Sequence, residues 1–381
     1  MEVDYESGRF IIYAQLLDFS DIAKQEGAVE TGHGEVWIGK SEGKTIDEAL
    51  ISLYPVSQQR TSWTHVRTII FSKALLDEHL PEAVNGLIQT RDLRYTSWVF
   101  GTDQKLPDVL KSISLLNESV LNSALLDPEE LFKLYSYVEP LRLIKLMDGV
   151  KEPAVTKLLP LVSWTEGVWK GDSEPTPQVK LVGAYAIAQG RNRGQVDSEM
   201  LQGARYVEFR RMISFPLPLV LDEGSPVTIN IAHRDPDIQI GPGNDPIRVN
   251  LNVRAKAYIS ELAADSGMTS ARLRAAAEET IEREIRRSFD AAKAKQIDLY
   301  NLEEKLYRHD QVRWKKLHSQ GKSLISIMDL DQVQVEVNLI HSSSHKRLGS
   351  GSQVSRRSDP PFVFRQWQVE APSPRFHKIY R

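Results

Sequence analysis

From Val333 to Leu339 every second residue is Val or Leu, with Gln, Glu and Asn between them. That alternation predicts a strand with one face buried. Between Met268 and Gln296 the period changes: Leu273, Ala277, Ile281, Ile285 and Phe289 recur every fourth residue, and Glu and Arg fill the other positions. This is the stripe of an amphipathic helix, with Thr269 or Ser270 placed to cap it. Apolar, β-rich runs predict further strands at Arg9–Leu17, Glu35–Gly39, Val66–Phe71, Tyr95–Phe100 and Val182–Ala188, and within Leu219–Ile231 and Ile247–Ile259. Thr45 and Glu48 form a capping box for a helix that Pro55 stops. Leu75–Leu87 reads as a helix broken at its proline, and Ser198–Arg211 and Leu299–Leu317 as two more. From Leu106 to Leu159 the pattern is helical and apolar.

Between these elements lie a polar loop (Asp18–Thr31) and turns at Ser41–Lys44, Gly101–Asp103 and Gly190–Gly194. Trp164–Gln178, rich in Gly, Pro, Ser and acidic residues, is the best internal boundary. The expectation is an α+β, multi-domain chain of mixed β-sheets with packed helices. Its divisions are an N-terminal α+β domain (1–104), a helical middle domain (105–170), a C-terminal α+β domain (178–348) carrying the long helix 270–296, and a linker with an appended or disordered tail (349–381). A length of 381 residues exceeds one compact core.

The chain has no cysteine, which excludes disulfides, thiolate chemistry and Cys-based zinc sites. A net charge of −3 sets up no global field for nucleic acid or an anionic membrane. No apolar run is long enough to span a bilayer. The start, which runs almost directly from Met1 into the strand at Phe10, reads as an expression boundary.

The candidate chemistry is thin. His233-Arg234-Asp235-Pro236-Asp237 gathers one imidazole and two carboxylates, yet its residue types make a polar turn the preferred reading over a metal site. Gly241-Pro242-Gly243 lacks an N–H that a phosphate cradle needs. Arg191 and Arg193 in the Gly190–Gly194 turn could meet an anion, but a solvated hairpin is preferred. His65 reads as a hydrogen-bonded residue at a strand start, and Trp314-Lys315-Lys316-Leu317 as a helix end with a weak case for headgroup contact. No catalytic, cofactor-binding or metal-ligating residue is assigned. After the flexible Gly349-Ser350-Gly351-Ser352 comes an Arg- and Pro-rich tail with Phe362, Phe364, Trp367 and Phe376. It reads as disordered or appended, with strand addition by Phe362–Trp367 as the alternative.

Several pieces in fixed order carry a resemblance. They are Ser41-Glu42-Gly43-Lys44-Thr45-Ile46 with Glu48-Ala49, then His65-Val66-Arg67, then Arg91-Asp92 before Tyr95. They continue with Gly183-Ala184 before a Gly190 turn, the long helix ending in Ala291-Ala292, Asp298-Leu299-Tyr300, Trp314-Lys315-Lys316-Leu317 and Val335-Glu336-Val337. In this order the chain resembles the Ger(x)C family, the lipoprotein subunits of nutrient germinant receptors in bacterial endospores. The resemblance implies a non-catalytic ectodomain, anchored by an N-terminal lipid on the outer face of the spore inner membrane. It implies two integral-membrane partners, the A and B subunits, and no cofactor and no nucleic acid. The lipid-bearing cysteine, and the strand that follows it in the family, are not seen in the sequence, so the edge beside Phe10–Leu17 is expected to be unpaired. The alternative function is a stand-alone extracellular ligand-binding protein; a hydrolase with a dispersed site has no motif behind it.

Overall fold

The computed structural model describes residues 1–16, 37–57, 62–106, 109, 124–134, 138–170, 175–209, 211–220, 226–262, 269–319 and 323–340. Its first element is a hairpin: β1 (Glu2–Glu6) returns through Ser7-Gly8 into β2 (Arg9–Leu16). Both loop residues have positive φ, 51° and 81°, the geometry that matches the twist of paired strands. β3 (Trp37–Gly43) pairs with the far side of β2. The expected unpaired edge at Phe10–Leu17 is therefore wrong over the described part of that strand, because β2 is bonded on both sides. β1 escaped notice because Glu2-Val3-Asp4-Tyr5-Glu6 is too charged to read as a strand; pairing with β2 and, in parallel, with β4 makes it one.

Helix α1 (Ile46–Ile51) has the predicted cap: Glu48 N donates to Thr45 Oγ1 (3.1 Å), and Glu48 Oε2 accepts from Lys44 N (2.7 Å). β4 (Thr68–Ser72), α2 (Lys73–Glu78), α3 (Leu80–Gln89) and β5 (Trp98–Thr102) follow, with Pro81 at the start of α3 as the proline break predicts. Then come α4 (Pro128–Leu134), β6 (Leu141–Arg142), α5 (Leu143–Lys151), β7 (Thr156–Lys170), β8 (Pro175–Ala188) and β9 (Arg191–Asp197). The strands form one mixed sheet in the order β3-β2-β1-β4-β5-β7-β8-β9, with β6 also on β5.

The second half consists of α6 (Ser198–Val207), β10 (Phe215–Val220), β11 (Pro226–Ile240), β12 (Ile247–Leu262), α7 (Ser270–Ala294), α8 (Leu302–His309), α9 (Gln311–His318) and β13 (Met328–Ile340). Its sheet runs β10-β11-β12-β13, and β13 joins β12 in parallel after the crossover through α7. Thr269 caps α7, accepting from Arg272 N, and the predicted stripe Leu273, Ala277, Ile281, Ile285 and Phe289 is buried. Each larger member contributes about 1.5–3 kcal/mol of burial. The helix expected over Leu299–Leu317 is two, because Asp310 ends α8 and caps α9 through Arg313 N (2.9 Å).

Several local readings differ in the structure. Trp164–Gln178, read as the internal boundary, is ordered over its described part, which lies in the long β7/β8 hairpin. The Leu159 end of the expected helical stretch is strand β7. Ser41–Gly43 and Gly101-Thr102 continue strands, and from Arg191 the expected turn is already β9. His233–Asp237 is no turn but the middle of β11, facing Lys256 to Asn252. Pro236 is tolerated there because β10 pairs only as far as Ile231, leaving that side of β11 open. The readings of Asp18–Thr31, of Leu110–Leu121 and of the tail after Leu348 lie outside the described residues.

Residues 1–342 form one compact unit. One core lies between the first sheet and α1, α2, α3 and α5, and contains Ile12, Leu76, Val84, Leu146, Leu161, Tyr185 and Ile187. A larger core joins α6, α7 and the second sheet. The 105–170 segment feeds both, with Leu143, Leu146, Leu159 and Leu161 in the first and Phe132 and Val138 in the second. β8 serves both by alternation: Tyr185 and Ile187 enter the first core, Ala184 and Ala186 the second.

Candidate functional site

The densest buried chemistry lies where α6, α7 and the α7–α8 connection meet. Gly203 on α6 lets the helices touch: its N–H donates to Ser288 Oγ (2.8 Å), and a Cβ there would collide with Ser288 and the Tyr300 hydroxyl. Tyr300 donates to Ile285 O (2.9 Å). Tyr206 donates to Glu284 Oε2 (2.8 Å), and Arg205 Nη2 lies 3.4 Å from the same oxygen. Burial, reinforced by Glu284, holds the Tyr206 phenol well above its ordinary pKa, so it stays a neutral donor. Buried Arg234 donates to the carbonyls of Phe209 and Met212, holding the segment that follows α6.

A second set ties this region to the first sheet. Asn301, left-handed at φ 49°, accepts from Thr156 N of β7 (2.9 Å) and donates to Glu208 Oε2 (3.2 Å). Asp298 accepts from Leu302 N (2.9 Å) and Glu303 N (2.7 Å) at the start of α8. Those bonds favour its ionised form, but burial outweighs them and pushes the carboxyl up to about 7. Burial likewise pushes Glu208 up to about 7, against the Asn301 bond that lowers it. Glu303 accepts from Trp314 Nε1 (3.0 Å), and His318 stacks on that indole. Trp314 and Leu317 are thus core residues, which removes the headgroup contact considered for them.

A shallow depression lined by Asp197, Glu199, Met200, Arg287, Ala291 and Lys295 is crossed by the Arg287–Glu199 ion pair. The arrangement fixes helix to helix and helix to sheet; it does not set a nucleophile beside a base.

The residues singled out by sequence are dispersed. Asp235 pairs with exposed Arg254 (2.7 Å) and Asp237 accepts from Gln239 (2.9 Å), while His233 is exposed on the same strand. Among the described residues no three potential metal ligands gather. In the Gly241–Gly243 loop it is carbonyls that are used: Gly241 O accepts from Arg313 Nη1 (2.8 Å), and Gly243 O from Nη2. A loop that binds a guanidinium this way is the reverse of an anion cradle. Arg193 is held by Gln189 (2.6 Å), and His65 is exposed in a single turn, Trp63–His65. Arg205, Glu208, Glu284 and Asn301 were missed. The available signal was Asp298-Leu299-Tyr300, whose neighbour Asn301 makes the bridge to β7.

Two family profiles match the chain in sequence order. One, described as "Spore germination protein N-terminal domain", matches residues 1–163, and the other, "Spore germination B3/ GerAC like, C-terminal", matches residues 183–343. The chain belongs to the Ger(x)C family of spore germination proteins. A Ger(x)C architecture is seen again in a solved structure, "Crystal Structure of the GerBC protein": TM-score 0.56 at 18% identity, over 89% of this chain and 96% of that one. At that identity the likeness establishes the shared fold. No curated protein sequence matches the chain. The two Ger(x)C profiles adjoin across 163–183, the stretch that the β7/β8 hairpin occupies.

Proposed function

We propose that this protein is the non-catalytic C subunit of a nutrient germinant receptor, held by an N-terminal lipid on the outer face of the spore inner membrane and working with membrane-embedded A and B subunits. The observation that carries the reading is the match of both halves of the chain, in order, to spore germination profiles. The buried polar groups support it, since those described brace elements against one another. Among the described residues no helix is long and apolar enough to cross a membrane, so retention would fall to an anchor and to partners. One acyl chain binds a bilayer only marginally; contacts with the A and B subunits then supply the rest and couple this chain to shifts between receptor states. The test is affinity isolation of the tagged protein from detergent-solubilised spore membranes. Co-isolation of both membrane subunits is expected; their consistent absence, with the tagged chain intact, counts against the reading.

A further inference from the structure

We propose that the rim of Arg67, Arg94, Tyr95, Arg142 and Ile144, at one end of the first sheet, is a docking surface for an anionic lipid bilayer. β4 and β5 run parallel and begin together there, with Thr68 opposite Trp98. The turns leading into them are locked to one another. Trp98 N donates to Arg67 O (2.7 Å), and Ser97 Oγ donates to Val66 O (2.6 Å) and Arg94 O (2.9 Å). Ile144 N donates to Tyr95 O (3.0 Å), which fixes the start of α5 against the same turn. The Arg142 guanidinium lies over the Trp98 ring, 3.4 Å from its centroid. These side chains therefore stand on element ends that cannot drift apart.

Two features select a bilayer. The first is charge: Arg67, Arg91 and Arg94 are exposed, and no ion pair engages them among the described residues. Of the nearby acids, Glu129 and Glu139 pair with Arg211 and Asp148 with Lys145 and Lys157; Asp92, beside Arg91, and Asp127, which acts on Arg142, still leave the four arginines in excess. In a chain of net charge −3 this cluster runs against the trend. Guanidinium groups match phosphate in shape as well as sign. The second is the pair of apolar side chains among them, Tyr95 (46% exposed) and Ile144 (48% exposed). Tyrosine favours the membrane–water boundary, and an aliphatic tip gains by entering it. A nucleic-acid backbone would use the arginines but give Ile144 nothing. Met1 lies at the same end, its amino group donating to Thr68 O (3.0 Å). The inference rests on the membrane-attached reading only for its cellular setting.

The test is sedimentation of the full, unacylated chain with vesicles of phosphatidylcholine alone or mixed with phosphatidylglycerol. Binding to the mixed vesicles only is expected, weakening with salt. Each arginine near such a surface is worth roughly fivefold in partitioning, so Arg67→Gln with Arg94→Gln should lose about 25-fold, and Ile144→Ser should lose several-fold more. The basic tail after Leu348 is controlled by a second background, Arg356→Gln, Arg357→Gln and Arg365→Gln, in which the rim variants should cause the same fold-loss. The absence of cysteine allows single labels. A fluorophore on Thr96→Cys should be quenched by brominated lipid, and one on Val312→Cys should not. Equal binding by rim variants and wild type, no preference for anionic vesicles, or quenching at Val312→Cys alone overturns the proposal. So does an equally Arg67- and Arg94-dependent affinity for short duplex DNA that Ile144→Ser leaves untouched. Failure here would leave the receptor reading to its own co-isolation test, since subunit binding does not need this rim.

Discussion

Replacing Glu208 with glutamine should make the protein more stable at pH 8 and leave it nearly unchanged at pH 5. Glu208 sits at the end of α6, bonded to Asn301 and facing Asp298, Glu304 and Lys305. Its folded pKa of about 7 lies above the ordinary 4.5, chiefly through burial. Between those values the native chain holds a proton that the unfolded chain has released. The stabilisation is therefore complete below about pH 4.5 and is lost as pH rises through 7. The gap corresponds to about 3 kcal/mol, an upper bound because Glu208 is half-buried and water reaches part of it. Glutamine keeps an oxygen for Asn301 Nδ2 and cannot ionise. Urea unfolding from pH 5 to 8 reads the effect: wild type should lose stability, Glu208→Gln should lose less, and the two curves should separate by about 1–3 kcal/mol at the alkaline end. Asp298 titrates in the same direction in both proteins, and removing the Glu208 charge also relieves its repulsion with Asp298, which adds to the separation at the alkaline end. A difference independent of pH, or one that grows toward acid, would refute the reasoning.

Three further substitutions probe the same frame. Asn301→Ala removes the bonds to Thr156 and Glu208 and puts a Cβ-bearing residue without a local hydrogen bond at φ 49°; a loss of about 2–4 kcal/mol is expected in urea, with Asn301→Gly recovering only the backbone share. Gly203→Ala drives a methyl into Ser288 and Tyr300 and should lower stability by about 1–3 kcal/mol, seen as a lower Tm. Glu278→Ala leaves Val337 N on the edge strand β13 without the acceptor now 2.9 Å away; about 1–2 kcal/mol should be lost, and Glu278→Gln should restore most of it.

What could be seen in the sequence was whatever local periodicity alone determines. The stripe of α7, the alternation of β13, the Thr45–Glu48 cap and the proline break before α3 all depend on neighbours a few residues apart, and all are present. The errors fall where a distant partner decides. Glu2–Glu6 is a strand because β2 and β4 flank it, and His233–Asp237 is one because β12 lies alongside. The Gly- and Pro-rich stretch Trp164–Gln178 does lie between the two family matches, but that it is paired as a hairpin over its described part could not be read from composition. Family membership was legible from ordered small motifs. The buried polar joint was not, because Thr156, Glu208, Asp298 and Asn301 have no spacing that announces them; only the fold brings β7 to the α7–α8 connection.

The alternation along β8 has a mechanical corollary. Tyr185 and Ile187 are embedded on one side of a single backbone, Ala184 and Ala186 on the other, and none of the four is solvent-accessible. Tilting that strand to swivel one lobe would tear side chains from a close-packed interior on one side or the other. A push delivered to the three-strand margin near β2 should thus arrive at α7 with little loss, as along a keel laid through the hull.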